Sequence, residues 1–485
     1  MSDPARFPDP PQELRHGRLW QLLAFFGPGA IVASVTISSG ETIWASRQGA
    51  IFGYLVVWSL IAGAAMKGIQ VYTGMRFMVL TGHHPMESWA HLPGPRAWCP
   101  LVIGVLSIFC FPFWIAGLSM MMGTLNNWIL HLDTSDPAIE LLYTRRWTTL
   151  YIAIGVMATL LQSYGFLEKI QTAIVALLLF CLCVAAIASR PDWLATLLGA
   201  VAPQVPAYDG WVVAQYPDIA RRPPWVEIMT FVGAVGGGTY DYLGYLGMLR
   251  EKAWGMLARV GLGLPRQRGA TVAVPDSPAE AAKARTWLRA PLIDCSCSFA
   301  SVTIFAATFM VLGAAILRPQ HLAPDGLVLL RHQAQFLTNI HPLLLYLYQT
   351  GVFMAFFGTI LGIYEVYTRT ALECLKGVSP RLGALPLNKV RRVVVAYSGI
   401  VGLAIAWTFE KPLSIVTLPA LLGGVFACGL WCFAIVWAEK RFLPKIHRMR
   451  TPLRIATIFA GAAMTVMGVT ALWLQYFAPL FSSAR

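Results

Sequence analysis

A run of long apolar stretches, each able to cross a bilayer, constrains this chain most, and two of them break near the middle. The first break reads Val35-Thr36-Ile37-Ser38-Ser39-Gly40-Glu41. The second reads Gly233-Ala234-Val235-Gly236-Gly237-Gly238-Thr239-Tyr240-Asp241. Hydrocarbon offers no water to satisfy free backbone groups, so irregular backbone survives there only inside protein or beside a water-filled cavity. Paired interrupted helices are the sequence mark of a transporter's binding site. The chain is therefore expected to be a secondary transporter with its substrate between the breaks.

Composition agrees. Of 485 residues, 57% are hydrophobic and only 12% charged, against about 25% charged in a soluble domain. The formal net charge of +14 does not point to nucleic acid, because the basic residues sit in short loops between apolar spans. The expected partners are the lipid bilayer and a transported cation or small solute; no cofactor is implied.

Counting about 20 apolar residues per crossing, spans are expected near 20–50, 52–81, 99–130, 147–163, 167–189, 224–250, 291–317, 341–374, 391–409, 413–438 and 452–477. That makes about eleven, so the two chain ends should face opposite sides. Arg250, Lys252, Arg259, Arg266, Arg268, Lys283, Arg285 and Arg289 crowd the loop after the sixth span. Lys376, Arg381, Lys389, Arg391 and Arg392 follow the eighth, and Lys440, Arg441, Lys445, Arg448 and Arg450 the tenth. Lys and Arg mark the cytoplasmic face. The N-terminus is therefore expected inside and the C-terminus outside, in a plasma or inner membrane. Residues 1–19, with four prolines, read as a cytoplasmic tail rather than a signal peptide. The loop 251–290 reads as a mobile or partly helical cytoplasmic segment, and 190–222 as an ordered external connection.

Each break offers free carbonyls from its first half and free amides from its second, favouring cations and anions respectively. Each second half opens with a carboxylate, Glu41 or Asp241. Two carboxylates and free carbonyls at one depth would make a cation site. A plainer reading stands beside this one. Ser38-Ser39-Gly40-Glu41 is a capping box, and Asp241 can cap its own half-helix. The two roles are compatible, since a capping carboxylate keeps a second oxygen.

Lys67 sits near the centre of the second span, where an ammonium needs a partner. Glu41, Asp241 and Glu365 are the expected candidates. Glu365 and Arg369, one turn apart, read as a helix-surface pair. Nine cysteines lie in spans or at their cytoplasmic ends. They are expected to be free thiols packed as small apolar residues. No nucleophile–base pair or metalloenzyme motif stands out, so an enzyme is not expected.

Phe26-Gly27-Pro28-Gly29, Gly53-Tyr54-Leu55-Val56-Val57-Trp58 and Val79-Leu80-Thr81-Gly82 resemble the opening of the first helix and both ends of the second in the NRAMP family of proton-coupled divalent metal transporters. The resemblance implies an all-α polytopic membrane protein of the LeuT fold with discontinuous first and sixth helices. It implies one transmembrane domain over 20–485, with inverted repeats at about 20–189 and 224–438 and an extra last helix at 452–477. The substrate motifs depart from the family. Its first-helix Asp-Pro-Gly-Asn is here Ser38-Ser39-Gly40-Glu41. In its sixth-helix Ala-x-x-Met-Pro-His-Asn, Ala234 is kept and Gly237 replaces the Met. Loss of that sulfur should weaken selection for manganese and iron, leaving a hard ion such as magnesium as the better fit. The third-helix carboxylates of the family's proton pathway are also missing: no charged residue lies between Leu101 and Ile129.

The expected function is movement of a cation, by default a divalent metal, by alternating access. Ser38, Glu41, Ala234 and Asp241 would be its metal ligands, with Gly237 and Thr239 also lining the site and Lys67 as charge partner. Two alternatives remain open. The substrate is a small organic amine or amino acid, for which the three glycines would make room, or the protein is a non-transporting receptor locked by Lys67. For the topology, a cysteine placed at Ser277 should react with a membrane-impermeant maleimide only after permeabilisation. Labelling of intact cells would overturn the orientation.

Overall fold

A computed structural model describes residues 6–27, 39–132, 135–161, 165–260, 274–323 and 328–482. Among them there is no strand, and seven helical segments are long and apolar enough to cross a membrane. An eighth is counted if the bent pair Ala173–Ala188 and Trp193–Val201, turned by 109°, forms one span. The protein is an integral membrane protein built from helices.

The segments follow the expected order. The second span is Val57–Thr81, closed by Gly82 in the left-handed conformation, and the third is Trp98–Ile129. Where the fourth span is expected, the helix Pro137–Leu161 starts ten residues before 147, and it is not one of the seven. Its extra turns carry Arg145 and Arg146, which apolarity alone passes over. Asn127 of the third span holds those turns by donating to the Glu140 carbonyl at 3.2 Å and to Thr144 Oγ1 at 2.9 Å. Beyond these lie Leu344–Val378, Leu387–Thr408, the tenth span Pro412–Phe442 and the last, Thr451–Phe481.

The segment 190–222 is ordered in short helices: Trp193–Val201, Gly210–Gln215 and Pro217–Ala220. In the 251–290 loop, Pro278–Trp287 is a helix capped by Ser277, while 261–273 lie outside the described residues. The N-terminal tail docks rather than trails. The backbone amide of Phe7 donates to Glu280, Trp287 Nε1 to the Pro8 carbonyl and Arg289 to the Leu14 carbonyl, with Phe7 and Leu14 buried. All nine cysteines are free, as expected.

The sixth span is two half-helices, Pro224–Ala234 and Thr239–Met248. Gly236 and Gly237 take φ of 73° and 82° between them, a region where only glycine is free of strain. These two glycines thus serve the turn itself. The tenth span packs against this turn. Pro419 interrupts its ladder, a wider turn runs over Leu422–Phe426, and Gly424 lies so close that an added Cβ would sit 1.9 Å from the Gly233 carbonyl oxygen. Small residues let membrane helices approach in this way. Gly424→Val should therefore lose about 3 kcal/mol of stability, read as a lower melting temperature in detergent. Unchanged melting would show that the two spans do not meet as described.

Candidate functional site

The turn in the sixth span leaves carbonyls without helical partners, and Lys67 meets them. Its Nζ donates to the carbonyl oxygens of Gly233 at 3.0 Å, Val235 at 2.6 Å and Gly237 at 2.7 Å. All three donors of an ammonium are thereby used. Ala234, expected to offer its carbonyl, ends the first half-helix; the oxygens on either side of it hold the ammonium instead. Val235 is already extended, at φ −67° and ψ 132°, which turns its carbonyl out of the helical direction. Lys67 is fully buried.

The expected partnership of Lys67 with a carboxylate is corrected by this geometry. No carboxylate of the described residues forms an ion pair with Lys67, although Glu41 and Asp241 act on it electrostatically from nearby. Glu365 lies in a separate network, paired with Arg369 at 2.8 Å, as expected, and with Arg391 at 2.9 Å.

Glu41 stands in a wide helical turn, Ser39–Trp44, that opens the second half of the first span. Its Oε1 reaches across to accept the backbone amide of Gly236 at 2.7 Å, so one break is tied to the other. Its Oε2 is buried without a hydrogen-bond partner among the described residues. Asp241 caps its own half-helix, accepting the Gly238 amide at 2.7 Å. Tyr242 steadies the turn from within, its hydroxyl donating to the Gly236 carbonyl at 2.7 Å. Thr239 opens the second half-helix, and its hydroxyl donates to the sulfur of Cys428 at 3.3 Å while Gln70 Nε2 approaches it at 3.4 Å. Ser38 lies outside the described residues. The structure thus gathers Glu41, Lys67, Gly237, Thr239 and Asp241 around one turn.

Sequence reasoning passed over Gln70 and Cys428. Gln70 follows Lys67 by one helical turn, the spacing that puts two side chains on one face; that signal was available. Cys428 carries no local signal, because its place follows from the packing of the tenth span. Among the described residues, no three His, Cys, Asp or Glu side chains are grouped to hold a metal. A cation here would rely on carbonyl, amide and hydroxyl oxygens beside the carboxylates.

Ion pairs lie on both sides of the turn. Toward the 190–222 segment, Arg47 pairs with Glu227 in a buried ion pair joining the first and sixth spans, and Gln48 Nε2 donates to the Glu227 carbonyl at 3.1 Å. A cavity of about 190 Å³ adjoins this pair, lined in part by Arg47, Arg222, Lys411 and Asp218. Lys411 beside Asp218 holds that carboxyl below the usual range. Toward the 251–290 loop, Arg250 bridges Glu87 at 3.1 Å and Glu373 at 2.9 Å, and Arg76 pairs with Glu439.

No family model matches the chain. An 83-residue stretch is 31% identical to the divalent metal cation transporter MntH of Chromohalobacter salexigens; the match spans 17% of this chain and only 19% of that relative. Likeness in structure reaches much further. A mutant of the Eremococcus coleocola manganese transporter superposes with a TM-score of 0.62 over 100% of this chain and 94% of that one, at 15% identity. The nucleobase-cation-symport-1 family transporter MHP1, with bromovinylhydantoin bound, gives 0.52 at 16% identity over 95% and 94%. MhsT in complex with L-phenylalanine gives 0.53 at 12% identity over 94% and 98%. The fold is therefore the LeuT-type fold, and the chain is similar to transporters rather than to enzymes.

With carbonyls as its partners, Lys67 has a testable energetic role. Lys67→Met should leave the buried Gly233 and Val235 carbonyls unpaired, with Gly237 keeping only the Tyr242 hydroxyl at 3.2 Å, and cost about 3 kcal/mol. Adding Glu41→Gln should not restore that loss, as it would if the ammonium were paired with Glu41. Recovery of the melting temperature in the double variant would restore the ion-pair reading.

Proposed function

We propose that the protein is a secondary transporter that moves a cation, by default a divalent metal ion, by alternating access, and that it binds the ion at the turn between the half-helices. The observation that carries the reading is Lys67. Three carbonyl oxygens converge on one positive charge, with Glu41 and Asp241 close by. A pocket that coordinates a desolvated ammonium in this way is built as a cation site, and the tethered ammonium is the occupant an incoming ion displaces. Ion pairs on both sides of the turn fit a state between the two openings of the cycle. The likeness to a manganese transporter and to a divalent metal cation transporter supports a metal as the substrate. Carbonyl and carboxylate oxygens by themselves would suit a hard ion such as magnesium. In this reading the protein lies in the plasma or inner membrane, N-terminus in the cytoplasm and C-terminus outside.

A second reading has an observation of its own. Lys67 is fully buried with every donor used, which would suit a permanent lock. The protein would then carry an organic solute beside the ammonium or act as a receptor without transport.

Glu41→Gln separates these readings. A glutamine Oε1 still accepts the Gly236 amide, so the turn keeps its tie, but the negative charge is lost. Purified protein in liposomes should take up manganese or magnesium, and the variant should lose at least about tenfold in uptake, as expected when the charge opposing a desolvated cation is removed. Uptake undiminished by the change would move the cation site elsewhere. No uptake by the unaltered protein would favour the lock.

A further inference from the structure

The tenth span brings a sulfur to this turn. Cys428 lies two residues past the wide turn Leu422–Phe426, is fully buried, and meets the opening residue of the second half-helix, where its sulfur accepts from Thr239 Oγ1 at 3.3 Å. Its thiol donates in turn to the Gly423 carbonyl at 3.4 Å within its own span. Thr239 opens the half-helix two residues after Gly237, whose carbonyl holds the ammonium, so the thiol lies beside the same turn.

A buried cysteine alone means little, since most pack as small apolar residues. A second observation points to a ligand. Gln70, fully buried and directing its Nε2 to the same Thr239 hydroxyl at 3.4 Å, keeps its Oε1 without a hydrogen-bond partner among the described residues. A buried amide oxygen left unpaired costs about 1–3 kcal/mol. Beside it stand a thiol and a hydroxyl, and together they form a set of donors from three spans facing one place.

We propose that Cys428, with Gln70 Oε1 and the Thr239 hydroxyl, forms the sulfur end of the cation site and sets its preference toward borderline and soft divalent ions. The proposal rests on the reading of the turn as a cation site. The sulfur that Gly237 does not offer at the sixth-span turn is supplied from the tenth span. Hard ions such as magnesium bind oxygen and gain little from a thiol, whereas borderline iron and soft cadmium gain progressively more. The assignment therefore reverses the preference for magnesium that the oxygen donors alone would give.

The test compares Cys428→Ser with the unaltered protein, purified whole in detergent, using cadmium and magnesium as probes in calorimetry. Serine keeps a hydroxyl that can accept from Thr239 and donate to Gly423, so the packing survives, and a matched melting temperature checks this. Cadmium affinity should fall by at least tenfold in the variant, and the ultraviolet cadmium–thiolate absorption should be lost with it. Magnesium binding should change by less than twofold. Cadmium binding unchanged in Cys428→Ser but lost in Glu41→Gln would overturn the sulfur assignment while leaving the cation site in place. Cadmium binding unchanged in both variants, or absent from the unaltered protein, would overturn both.

Discussion

Three carbonyl oxygens turned toward one ammonium hold the centre of this molecule together. A helix broken in hydrocarbon leaves backbone acceptors that water cannot satisfy, and Lys67 satisfies those of Gly233, Val235 and Gly237 at once. The partnership works in both directions, because an isolated ammonium at that depth would be as unfavourable as the bare carbonyls. Glu41 then ties the first span to the same turn through the Gly236 amide. The tenth span closes over it with Gly424 against Gly233. Remove the ammonium and only Gly237 keeps a donor, the Tyr242 hydroxyl at 3.2 Å; the Gly233 and Val235 carbonyls have no substitute among the described residues. A cation of similar charge is the natural replacement, and this gives exchange at the site its physical basis.

The surroundings are arranged to cover this turn. On one side a buried ion pair, Arg47 with Glu227, joins the halves of the first and sixth spans that lie beyond the breaks. On the other, Arg250 gathers Glu87 and Glu373, and the N-terminal segment lies against the helix Pro278–Trp287 through Phe7, Pro8 and Leu14. Gly27 extends that attachment by donating its amide to Asp294 at 2.9 Å. Buried ion pairs are poor sources of net stability but are strongly unfavourable to break singly. They suit gates that open as a unit.

Much of this was legible in the sequence. Apolar length marked the spans, and the glycine run 236–238 marked the turn, because no other residue adopts the backbone of Gly236 and Gly237 without strain. Lys67 stood out as an ammonium at mid-span. Its partners did not, because charge complementarity suggests a carboxylate, and backbone carbonyls carry no sequence signal. The N-terminal tail, with four prolines before Trp20, reads as loose, and its docking depends on a receptor helix more than 260 residues away. Cys428 was read as packing for the same reason: only the approach of the tenth span to the turn brings its sulfur beside Thr239. Where function rests on side chains of one segment, the sequence was informative. Where it rests on the meeting of distant spans, it was silent.

The central claim is that the carbonyls of the sixth-span turn form a cation site for which Lys67 is the tethered occupant. The most direct measurement is a crystal structure of the protein soaked with manganese, with anomalous scattering recorded to place the ion. The account predicts anomalous density within coordinating distance of the Gly233, Val235 and Gly237 carbonyl oxygens and of Glu41, with the Lys67 side chain withdrawn from them. Manganese bound elsewhere, with Lys67 still seated on its three carbonyls, would contradict it.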